Sequence, residues 1–519
     1  MLQNGSAHVG LASLVCIILV LGIVQSDAVR FASNPDQTVD LPNVTYSGYL
    51  PISDDGKDAL FYAYYEALEP AKTDDLPILL WLEGGPGCAS MLGNYYILGP
   101  YWPNRTLNLE PNPGGTSSLI VPFNDPCYKP LSLAWSFCLT HNAGTWNRKF
   151  GLLFIDQPLG TGFSIAGKRG IPTDEMEVAT DLYIGLQIFF ANFEQLQTRP
   201  LIITGESYAG KYVPSIGHFV LQIEEQLGQD RRRALLSQRR LLPQRALEMG
   251  PPLFDLAGLA VGNGLTDPRT QVLQHADVAF FFGMIDMQQR IEAMTMQLHI
   301  SQLIADESWD EAHQHREALL EYITQCSGAG TLLDYRRYRD YDADKNVDRY
   351  LNQPEVKEAL GVPKHIVYES CSDKVGDALG PDVMKSVKHL IPDILAALPM
   401  LLYQGQADAQ DGPASNEPWI YSLDWHGRSE FNAAPRALWH LDYADNDASA
   451  AQGVTIGGHH GRVVGYWREH STLAHVVIRN AGHMVPHDQP LVAQAMIEQW
   501  VDKAVGFSIA DVNRGASLF

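Results

Sequence analysis

Ser207 lies in a segment whose residue types could support nucleophilic catalysis. A short apolar run after Pro200 predicts a buried strand, and the small residues Gly205 and Ala209 stand on either side of the serine. This is close to the G-x-S-x-G pattern of a nucleophile elbow, in which a sharp strand-to-helix turn lifts the hydroxyl clear of the sheet. The N-terminus of the following helix favours negative charge that develops there. The segment therefore predicts a nucleophilic serine, and a plain Gly-Ser turn before a helix is the alternative.

A nucleophilic serine needs a base to take its proton, and the base needs an acidic group that orients it. In α/β enzymes with such a turn, the acid and the histidine follow later strands, in the chain order Ser, Asp, His. Asp408 and His483 meet this rule, because each comes shortly after an apolar, strand-like run. Gly482 lets the histidine loop approach closely. Asp411 and His487 are the rival orienter and base, and an aspartate that only caps a turn is the simpler alternative.

The elements that would hold these groups in place alternate along the chain. Besides the strand after Pro200, buried strands are predicted at 77–82, 151–156, 254–261, 399–403 and 473–478. Helical spacing of apolar residues occurs at 175–193 and 490–501, and a hairpin is predicted from 46 to 67 around a turn at 53–57. Buried strands that alternate with helices indicate an α/β fold with a mostly parallel central sheet.

A helical block interrupts this alternation. From 270 to about 350 the sequence predicts long amphipathic helices, such as 287–304 and 309–323, and contains no strand-like run. A block inserted where strands end is typical of a lid. We therefore divide the chain into a signal peptide (1–27), a first part of the core (28–268), a helical insertion (269–350) and a second part of the core (351–519).

The first residues predict entry into the secretory pathway. An apolar run at 11–24, followed by small and polar residues, has the length of a signal-peptide core and is too short to span a bilayer. A membrane anchor is the alternative, since no Lys or Arg precedes the run. Sequons of the N-x-[ST] type at Asn43 and Asn104 fit glycosylation on this route. We expect an extracellular or vacuolar protein with no membrane span once the signal is removed.

Composition excludes some classes of partner. The 519 residues are 45% hydrophobic and 19% charged, which is ordinary for a globular chain, and the formal net charge is −23. A nucleic-acid binder needs a basic face, so nucleic acid is excluded as a partner. The negative charge suits a protein that works in acid, where carboxylates become neutral. An arginine cluster between Arg231 and Arg245 is interpreted as a solvated helix end, or as an exposed site for proteolytic processing.

No metal or cofactor is expected. The Gly-rich loop at 83–90 lacks the Gly-Lys-Ser/Thr of a nucleotide P-loop. The adjacent His459 and His460 have no obvious third ligand, and no C-x-x-C spacing occurs. Of the six cysteines, Cys16 leaves with the signal, and we interpret the remaining five as two disulfides and one free thiol. Cys127 and Cys138 lie in a loop-rich segment, which a disulfide between them would close.

Four segments resemble motifs of the serine carboxypeptidase family, with the closest likeness to its plant members. They are 81–88 (WLEGGPGC), 205–214 (GESYAGKYVP), 262–268 (GNGLTDP) and 482–486 (GHMVP). The resemblance extends from Tyr46 to Val501. It implies an α/β-hydrolase fold with a helical insertion, and a serine-type carboxypeptidase that releases C-terminal residues from peptides or proteins in acid.

The resemblance also implies roles for individual residues. The implied catalytic triad is Ser207, Asp408 and His483. Gly85 and Tyr208 match the family's oxyanion hole. Tyr96 and Met484 match its pocket for the leaving residue, and Cys88 with Cys371 matches a disulfide near the site.

The carboxylate-binding site departs from the family pattern. The family holds the terminal carboxylate of the peptide with an Asn in the Gly-rich loop, a Glu before a later Gly-Pro and the Glu before the nucleophile. Here the first position is Glu83 and the second is Ile97, and only Glu206 is retained. Two close carboxyls would share protons. We therefore expect Glu83, Gly84 and Glu206 to bind a carboxylate in acid and to repel it at neutral pH.

Two other functions remain as alternatives. An acyltransferase would use the same acyl-enzyme with an alcohol acceptor, but plant relatives of that kind usually carry Asp before the nucleophile, where this chain has Glu206. A carboxypeptidase-like protein with weakened activity would result if Glu83 and Ile97 destroyed carboxylate binding. A homodimer is a further expectation.

Overall fold

An eleven-stranded sheet organises the chain, as seen in a computed structural model that describes residues 44–69, 76–103, 139–228, 242–341, 343–443, 451–456, 461–504 and 506. The strands are β1 (Tyr46–Pro51), β2 (Ala59–Tyr65), β3 (Ile78–Leu82), β4 (Tyr101–Pro103), β5 (Leu139–His141), β6 (Gly151–Asp156), β7 (Pro200–Glu206), β8 (Asp255–Gly262), β9 (Met400–Gly405), β10 (Ala437–Tyr443), β11 (Ala451–Ile456), β12 (Arg462–His470) and β13 (Leu473–Ile478). Strands β4 and β5 pair separately, and the other eleven follow the order β1-β2-β6-β3-β7-β8-β9-β13-β12-β10-β11.

The centre of the sheet is parallel. Strands β6, β3, β7, β8, β9 and β13 run parallel to one another, for example with Leu80 of β3 opposite Ile203 of β7. Every residue of β3, β6, β9 and β13 is buried. Their uninterrupted apolar runs follow from this, because helices cover both faces of a parallel sheet. The predicted α/β fold with a parallel central sheet is therefore confirmed.

Both edges of the sheet are antiparallel. Strands β1 and β2 form the predicted hairpin, with Tyr46 opposite Tyr64. At the other edge, β10, β11 and β12 are strands that the sequence did not predict. Strand β12 mixes buried and half-buried positions and carries charged residues at its ends. It therefore lacks the continuous apolar run by which a doubly covered strand is recognised.

Helices pack on both faces of the sheet. They are α1 (Ser90–Leu92), α2 (Glu175–Asn192), α3 (Ala209–Gly228), α4 (Gln244–Glu248), α5 (Pro268–Gln271), α6 (His275–Phe281), α7 (Met287–Ala305), α8 (Trp309–Ser327), α9 (Ala343–Leu351), α10 (Pro354–Leu360), α11 (Asp373–Val383), α12 (Ile391–Ala397), α13 (Pro413–Tyr421), α14 (Arg428–Ala433), α15 (Val485–Asp488) and α16 (Pro490–Ala504). Leu60 and Tyr62 of β2 join the core packed by α2 and α3, whereas Phe61 and Ala63 join the core packed by α16. This alternation is that of a strand with two covered faces.

Between β8 and β9 the described chain contains helices and no strand. Helix α7 begins at a capping box, in which Asp286 accepts a hydrogen bond from the Gln289 N–H at 2.9 Å. Helix α8 is capped at its C-terminus by Gly328, whose φ of 64° is left-handed. Helices continue beyond residue 350, up to Ala397 at the end of α12. We keep the division with an insertion at 269–350 as a proposal.

Several predicted features lie outside the described residues. They are the signal peptide, the sequons at Asn43 and Asn104, Cys127 and Cys138, most of the arginine cluster, and the His459–His460 pair. Within the described part, Cys326 carries a free thiol. None of the helices in the described ranges is both long enough and apolar enough to cross a membrane.

Candidate active site

Ser207 stands on a sharp turn between two elements, since β7 ends at Glu206 and α3 begins at Ala209. The serine has a φ of 63°, a left-handed conformation that a non-glycine residue adopts only where its surroundings enforce it. Its N–H donates to the Gly262 carbonyl at 3.0 Å, and its own carbonyl accepts from the Leu265 N–H at 2.9 Å. These bonds hold the turn that carries the candidate nucleophile.

Small residues surround this turn because backbone packs directly on backbone. A Cβ added at Gly205 would lie 2.4 Å from the Leu82 carbonyl oxygen, and one at Gly84 would lie 2.6 Å from the Tyr208 nitrogen. Both separations are too short for a carbon atom. The small residues of the motif are therefore required by the close approach of the turn to the end of β3 and the loop after it.

Asp408 and His483 form a buried pair beyond the ends of β9 and β13. Asp408 Oδ2 lies 2.6 Å from His483 Nδ1. The same oxygen accepts from Asn263 Nδ2 at 2.7 Å, and Oδ1 accepts from the backbone N–H groups of Gln410 and Asp411 at 2.8 and 3.0 Å. The fixed carboxylate holds the Nδ1 proton of His483, which leaves Nε2 as the acceptor of the neutral ring.

The segment that follows α8 braces both of these loops. The Leu333 carbonyl accepts from the His483 N–H at 2.7 Å, and the Leu332 carbonyl accepts from the Ala409 N–H at 2.9 Å. Gly482 is needed here, because an added Cβ would lie 2.6 Å from the Leu333 carbonyl oxygen. The helical block thus positions the histidine loop through its own backbone.

The charges around His483 favour its protonated form. Burial by itself lowers the pKa of His483, but the charge of Asp408 and the hydrogen bond to it outweigh burial, with further contributions from Asp411 and Glu83. The net result is a pKa raised above the usual 6.5. A general base must be neutral to accept a proton, so the ring loses this ability as the pH falls through its pKa.

The rival residues are engaged elsewhere. Asp411 accepts from Gln271 Nε2 at 3.2 Å and supports Asp408 through its backbone N–H. His487 Nδ1 donates to the Tyr96 carbonyl oxygen at 2.8 Å, and the two rings stack with centroids 4.1 Å apart. The geometry therefore pairs Asp408 with His483.

Gly85 and Tyr208 flank Ser207, and all three line one small cavity. Gly85 has a φ of 111°, which favours glycine. Tyr208 is buried, and its hydroxyl donates to Asp382 Oδ2 at 3.0 Å. The two backbone segments that would supply oxyanion donors therefore lie next to the serine in one cavity.

A disulfide between Cys88 and Cys371 fastens the Gly-rich loop to the segment before α11. Backbone bonds reinforce this junction. The Ala89 N–H donates to the Ser370 carbonyl and the Ser372 N–H donates to the Gly87 carbonyl, each at 2.8 Å. The loop that carries Gly85 is thereby tied to a distant part of the chain.

Two buried carboxyl groups lie at the ends of β3 and β7. Glu83 accepts from Trp81 Nε1 at 3.0 Å, and burial raises its pKa from 4.5 to about 7 against the opposing effects of that bond and of His483. Within the described chain, neither carboxyl oxygen of Glu206 has a hydrogen-bond partner. Burial, and then the charge of Glu83, raise the pKa of Glu206 well above its usual value. Both groups therefore hold protons in mild acid, where a carboxyl group can donate to a ligand.

The remaining implied residues are placed as follows. Tyr96 is buried against His487, and Met484 is half-buried just before α15. Ile97 is fully buried in the core. Its apolar side chain has no atom that can donate a hydrogen bond to a ligand, in contrast to a protonated Glu.

Two contributors to the site were missed in the sequence. Asn263, with a φ of 42°, donates to Asp408 and accepts from the Gly405 N–H at 3.0 Å, so it joins the loops after β8 and β9. Its trace in the sequence is the Gly-Asn-Gly motif. Leu333 acts through its backbone carbonyl, and a backbone contact leaves no trace in residue type.

Comparisons with known proteins agree with this geometry. A family profile described as serine carboxypeptidase matches residues 35–118 and 130–503. Serine carboxypeptidase-like 50 of Arabidopsis thaliana is 38% identical over 88% of this chain and 87% of its own. Venom serine carboxypeptidase of Apis mellifera is 30% identical over 88% of this chain and 84% of its own.

The fold has a counterpart among solved structures. KEX1(delta)P, a prohormone-processing carboxypeptidase from Saccharomyces cerevisiae, has a TM-score of 0.67 at 24% identity, over 90% of this chain and 92% of that chain. The fold is the predicted α/β-hydrolase fold. By its profile match and its relatives, the chain belongs to the serine carboxypeptidase family and is a hydrolase of the serine-type carboxypeptidase class.

Proposed function

We propose that the protein releases C-terminal residues from peptides through a Ser207–His483–Asp408 triad and an acyl-enzyme. The observation that carries the proposal is the buried Asp408–His483 pair, 2.6 Å apart, together with a serine held at a φ of 63° on a strand-to-helix turn. All three follow strands of the parallel centre, whose carboxyl ends share one edge of the sheet.

The proposed reaction follows from the roles that these atoms can take. His483 Nε2 takes the Ser207 proton while the oxygen attacks the peptide carbonyl carbon. The backbone N–H groups of Gly85 and Tyr208 stabilise the resulting oxyanion. The protonated His483 gives its proton to the leaving amine, the C–N bond breaks, and an acyl-serine ester remains. Water, deprotonated by the same histidine, then hydrolyses the ester.

Restriction to the chain end is proposed to come from Glu83 and Glu206. Glu206 is the stronger support, because its two buried oxygens have no partner in the described structure and a ligand would supply one. When these groups are protonated, they donate to the terminal carboxylate of the peptide. When they are ionised, they repel it, and the carboxylate site is lost.

Two opposite proton requirements give a bell-shaped pH profile. Glu83 takes up a proton as the pH falls below about 7, which permits a carboxylate to bind. His483 must be neutral to act as a base, and because its pKa is raised above 6.5 it loses this role as the pH falls into mild acid. Carboxylate binding therefore sets the alkaline limb and the base sets the acid limb, so activity peaks in a narrow range just below neutral pH.

The nucleophile is tested directly with a fluorophosphonate probe and a blocked dipeptide. The wild-type protein should react with the probe and release the C-terminal residue, and Ser207→Ala should do neither. Ser386→Ala, a half-buried serine far along the chain, serves as the control and should retain both properties. Labelling that survives in Ser207→Ala would contradict the assignment of the nucleophile.

An acyltransferase is the second candidate, because an acyl-enzyme can react with an alcohol instead of water. The retained Glu206 favours the peptidase. Transfer of a radiolabelled acyl group from a sugar ester, at a rate above peptide hydrolysis, would favour the transferase.

We also propose that the protein enters the secretory pathway and is extracellular or vacuolar, since the Cys88–Cys371 disulfide suits an oxidising compartment.

A further inference from the structure

A small cavity, about 50 Å³ in volume, opens beside Ser207 on the side of the helical block. Its wall contains the oxyanion residues Gly85 and Tyr208, and three residues of α8, which are His313, Arg316 and Glu317. Their spacing of three and four places them on one face of the helix. Glu83 and Glu206 are absent from this wall.

The position of the cavity assigns it to one side of the scissile bond. In the proposed function, the leaving residue lies toward Glu83 and Glu206, where its carboxylate is held. The carbonyl of the penultimate residue lies at Ser207 between the oxyanion donors. The side chain of that penultimate residue therefore points away from the two glutamates and toward the cavity.

Arg316 is the group in this wall with unused hydrogen-bonding capacity. Its side chain is buried, and in the described structure it makes one hydrogen bond, from Nη1 to Glu317 Oε1 at 2.9 Å. Its Nη2 atom lies 4.0 Å from Asp411 Oδ2, which is beyond hydrogen-bond distance. A guanidinium group has five N–H donors, so most of the donors of Arg316 remain for a ligand.

The hydrogen-bond acceptors near Arg316 are already engaged or exposed to water. Asp411 accepts from the side-chain amides of Gln271 and Gln410 at 3.2 and 3.1 Å. Glu317 has a side chain that is 57% exposed, so its bond to Arg316 is readily exchanged with water. The cavity therefore offers hydrogen-bond donors that have no partner, so a ligand group that fits it must be a hydrogen-bond acceptor.

Two carboxyl groups and two histidines act on Arg316. Asp411 forms a long ion pair with it at 4.0 Å, and burial raises the pKa of Asp411 against the opposing charge of Arg316. Burial lowers the pKa of His313, and it lowers that of His275 to about 3, so burial disfavours a second cation on either histidine. Asp411 already accepts two other hydrogen bonds, which leaves the exposed Glu317 as the carboxyl group that is hydrogen-bonded to Arg316 in the described structure.

We propose that Arg316 selects peptides whose penultimate residue is aspartate or glutamate. The proposal rests on the carboxypeptidase function proposed above. A guanidinium group binds a carboxylate with two parallel hydrogen bonds, and the apolar Leu265 and Val383 in the same wall suit the methylene groups of a glutamate. A penultimate lysine would bring a second cation next to a buried one, which is unfavourable.

The test uses blocked dipeptides with one C-terminal residue and Glu, Gln, Ala or Lys before it, assayed at pH 6. For the wild-type protein, kcat/KM should be about tenfold higher with Glu than with Gln, and lower still with Lys, as expected for a hydrogen-bonded charge. Equal values for Glu and Gln would overturn the proposal. No release from any of the four, including Ala, would overturn the carboxypeptidase function and this proposal with it.

Variants then assign the preference to Arg316. Arg316→Met should bring the Glu-to-Gln ratio close to one, while Glu317→Gln, which removes the competing carboxylate, should raise it. Because each ratio compares two substrates on one protein, partial misfolding cancels. Glu321→Gln changes an exposed carboxyl one turn along α8 and should leave the ratio unchanged. A ratio that Arg316→Met leaves at its wild-type value, or that Glu317→Gln lowers, would refute the assignment.

Discussion

Glu83→Gln tests whether a buried carboxyl group controls substrate binding through its proton. The pKa of Glu83 is about 7 instead of 4.5. At ~1.4 kcal/mol per pKa unit, ionising this group in its site costs about 3 kcal/mol more than in water. At pH 8, one unit above its pKa, about a tenth of the molecules keep the proton, so kcat/KM for a peptide with a free C-terminus should be about tenfold below its plateau.

Glutamine removes the charge and keeps an oxygen that can accept from Trp81 Nε1. The variant should therefore lose most of the decline at pH 8, and its alkaline limb should move to higher pH, because Glu206, whose pKa burial raises, is then the carboxyl group of the pair that can ionise. The acid limb should stay where it is, because Glu83 is already protonated at that pH and has no charge that could act on His483. The plateau itself should change little, since Glu83 is protonated there.

The assay measures kcat/KM from pH 4 to pH 9 for a blocked dipeptide, with the wild-type protein, Glu83→Gln and a control variant. Glu358→Gln, which changes an exposed carboxyl in α10, is the matched control and should leave both limbs where they are. An alkaline limb at the same pH in the wild type and in Glu83→Gln would refute the reasoning, because a group other than Glu83 would then control the binding of the carboxylate.

Two further predictions follow from buried polar groups. Asn263→Ala removes a hydrogen bond to the Asp408 carboxylate and should lower kcat about tenfold with little change in KM; steady-state kinetics test this, and an unchanged kcat would exclude the role. Burial raises the pKa of Glu175 to about 8. The folded state then binds this proton more tightly than the unfolded state, so the contribution is present below pH ~4.5 and is lost as the pH rises to 8. Glu175→Gln should reduce the loss of unfolding free energy between pH 5 and 8 by at least ~1 kcal/mol in denaturant titrations, and an equal loss in both proteins would contradict this sign.

The sequence predicts the parallel centre of the sheet because each strand there is buried on both faces. Such strands read as continuous apolar runs, as in β3 and β13. Strands β10 to β12 belong to the antiparallel edge, where apolar and polar positions mix, and periodicity alone did not separate them from loops. Helices α7 and α8 were predicted within a few residues of their ends, because their apolar spacing extends over several turns.

Part of the candidate site is also readable from the sequence. Loops that follow parallel strands share one edge of the sheet, so Ser207, Asp408 and His483 could be grouped before any contact was known. Asn263 and the Leu333 carbonyl could not, because each contacts a residue that is far away in the chain. The residue type shows which interactions a side chain can make, but only the fold shows which groups lie opposite it.

The central claim is that the protein recognises the free carboxylate at the end of a peptide and cleaves the bond before it. The most direct measurement compares hydrolysis of a blocked dipeptide with hydrolysis of the same dipeptide amidated at its C-terminus, from pH 4 to pH 7. We predict a preference for the free acid that is greatest in mild acid and weakens toward pH 7, where Glu83 loses its proton. Equal or faster cleavage of the amide at every pH would contradict carboxylate recognition by Glu83 and Glu206.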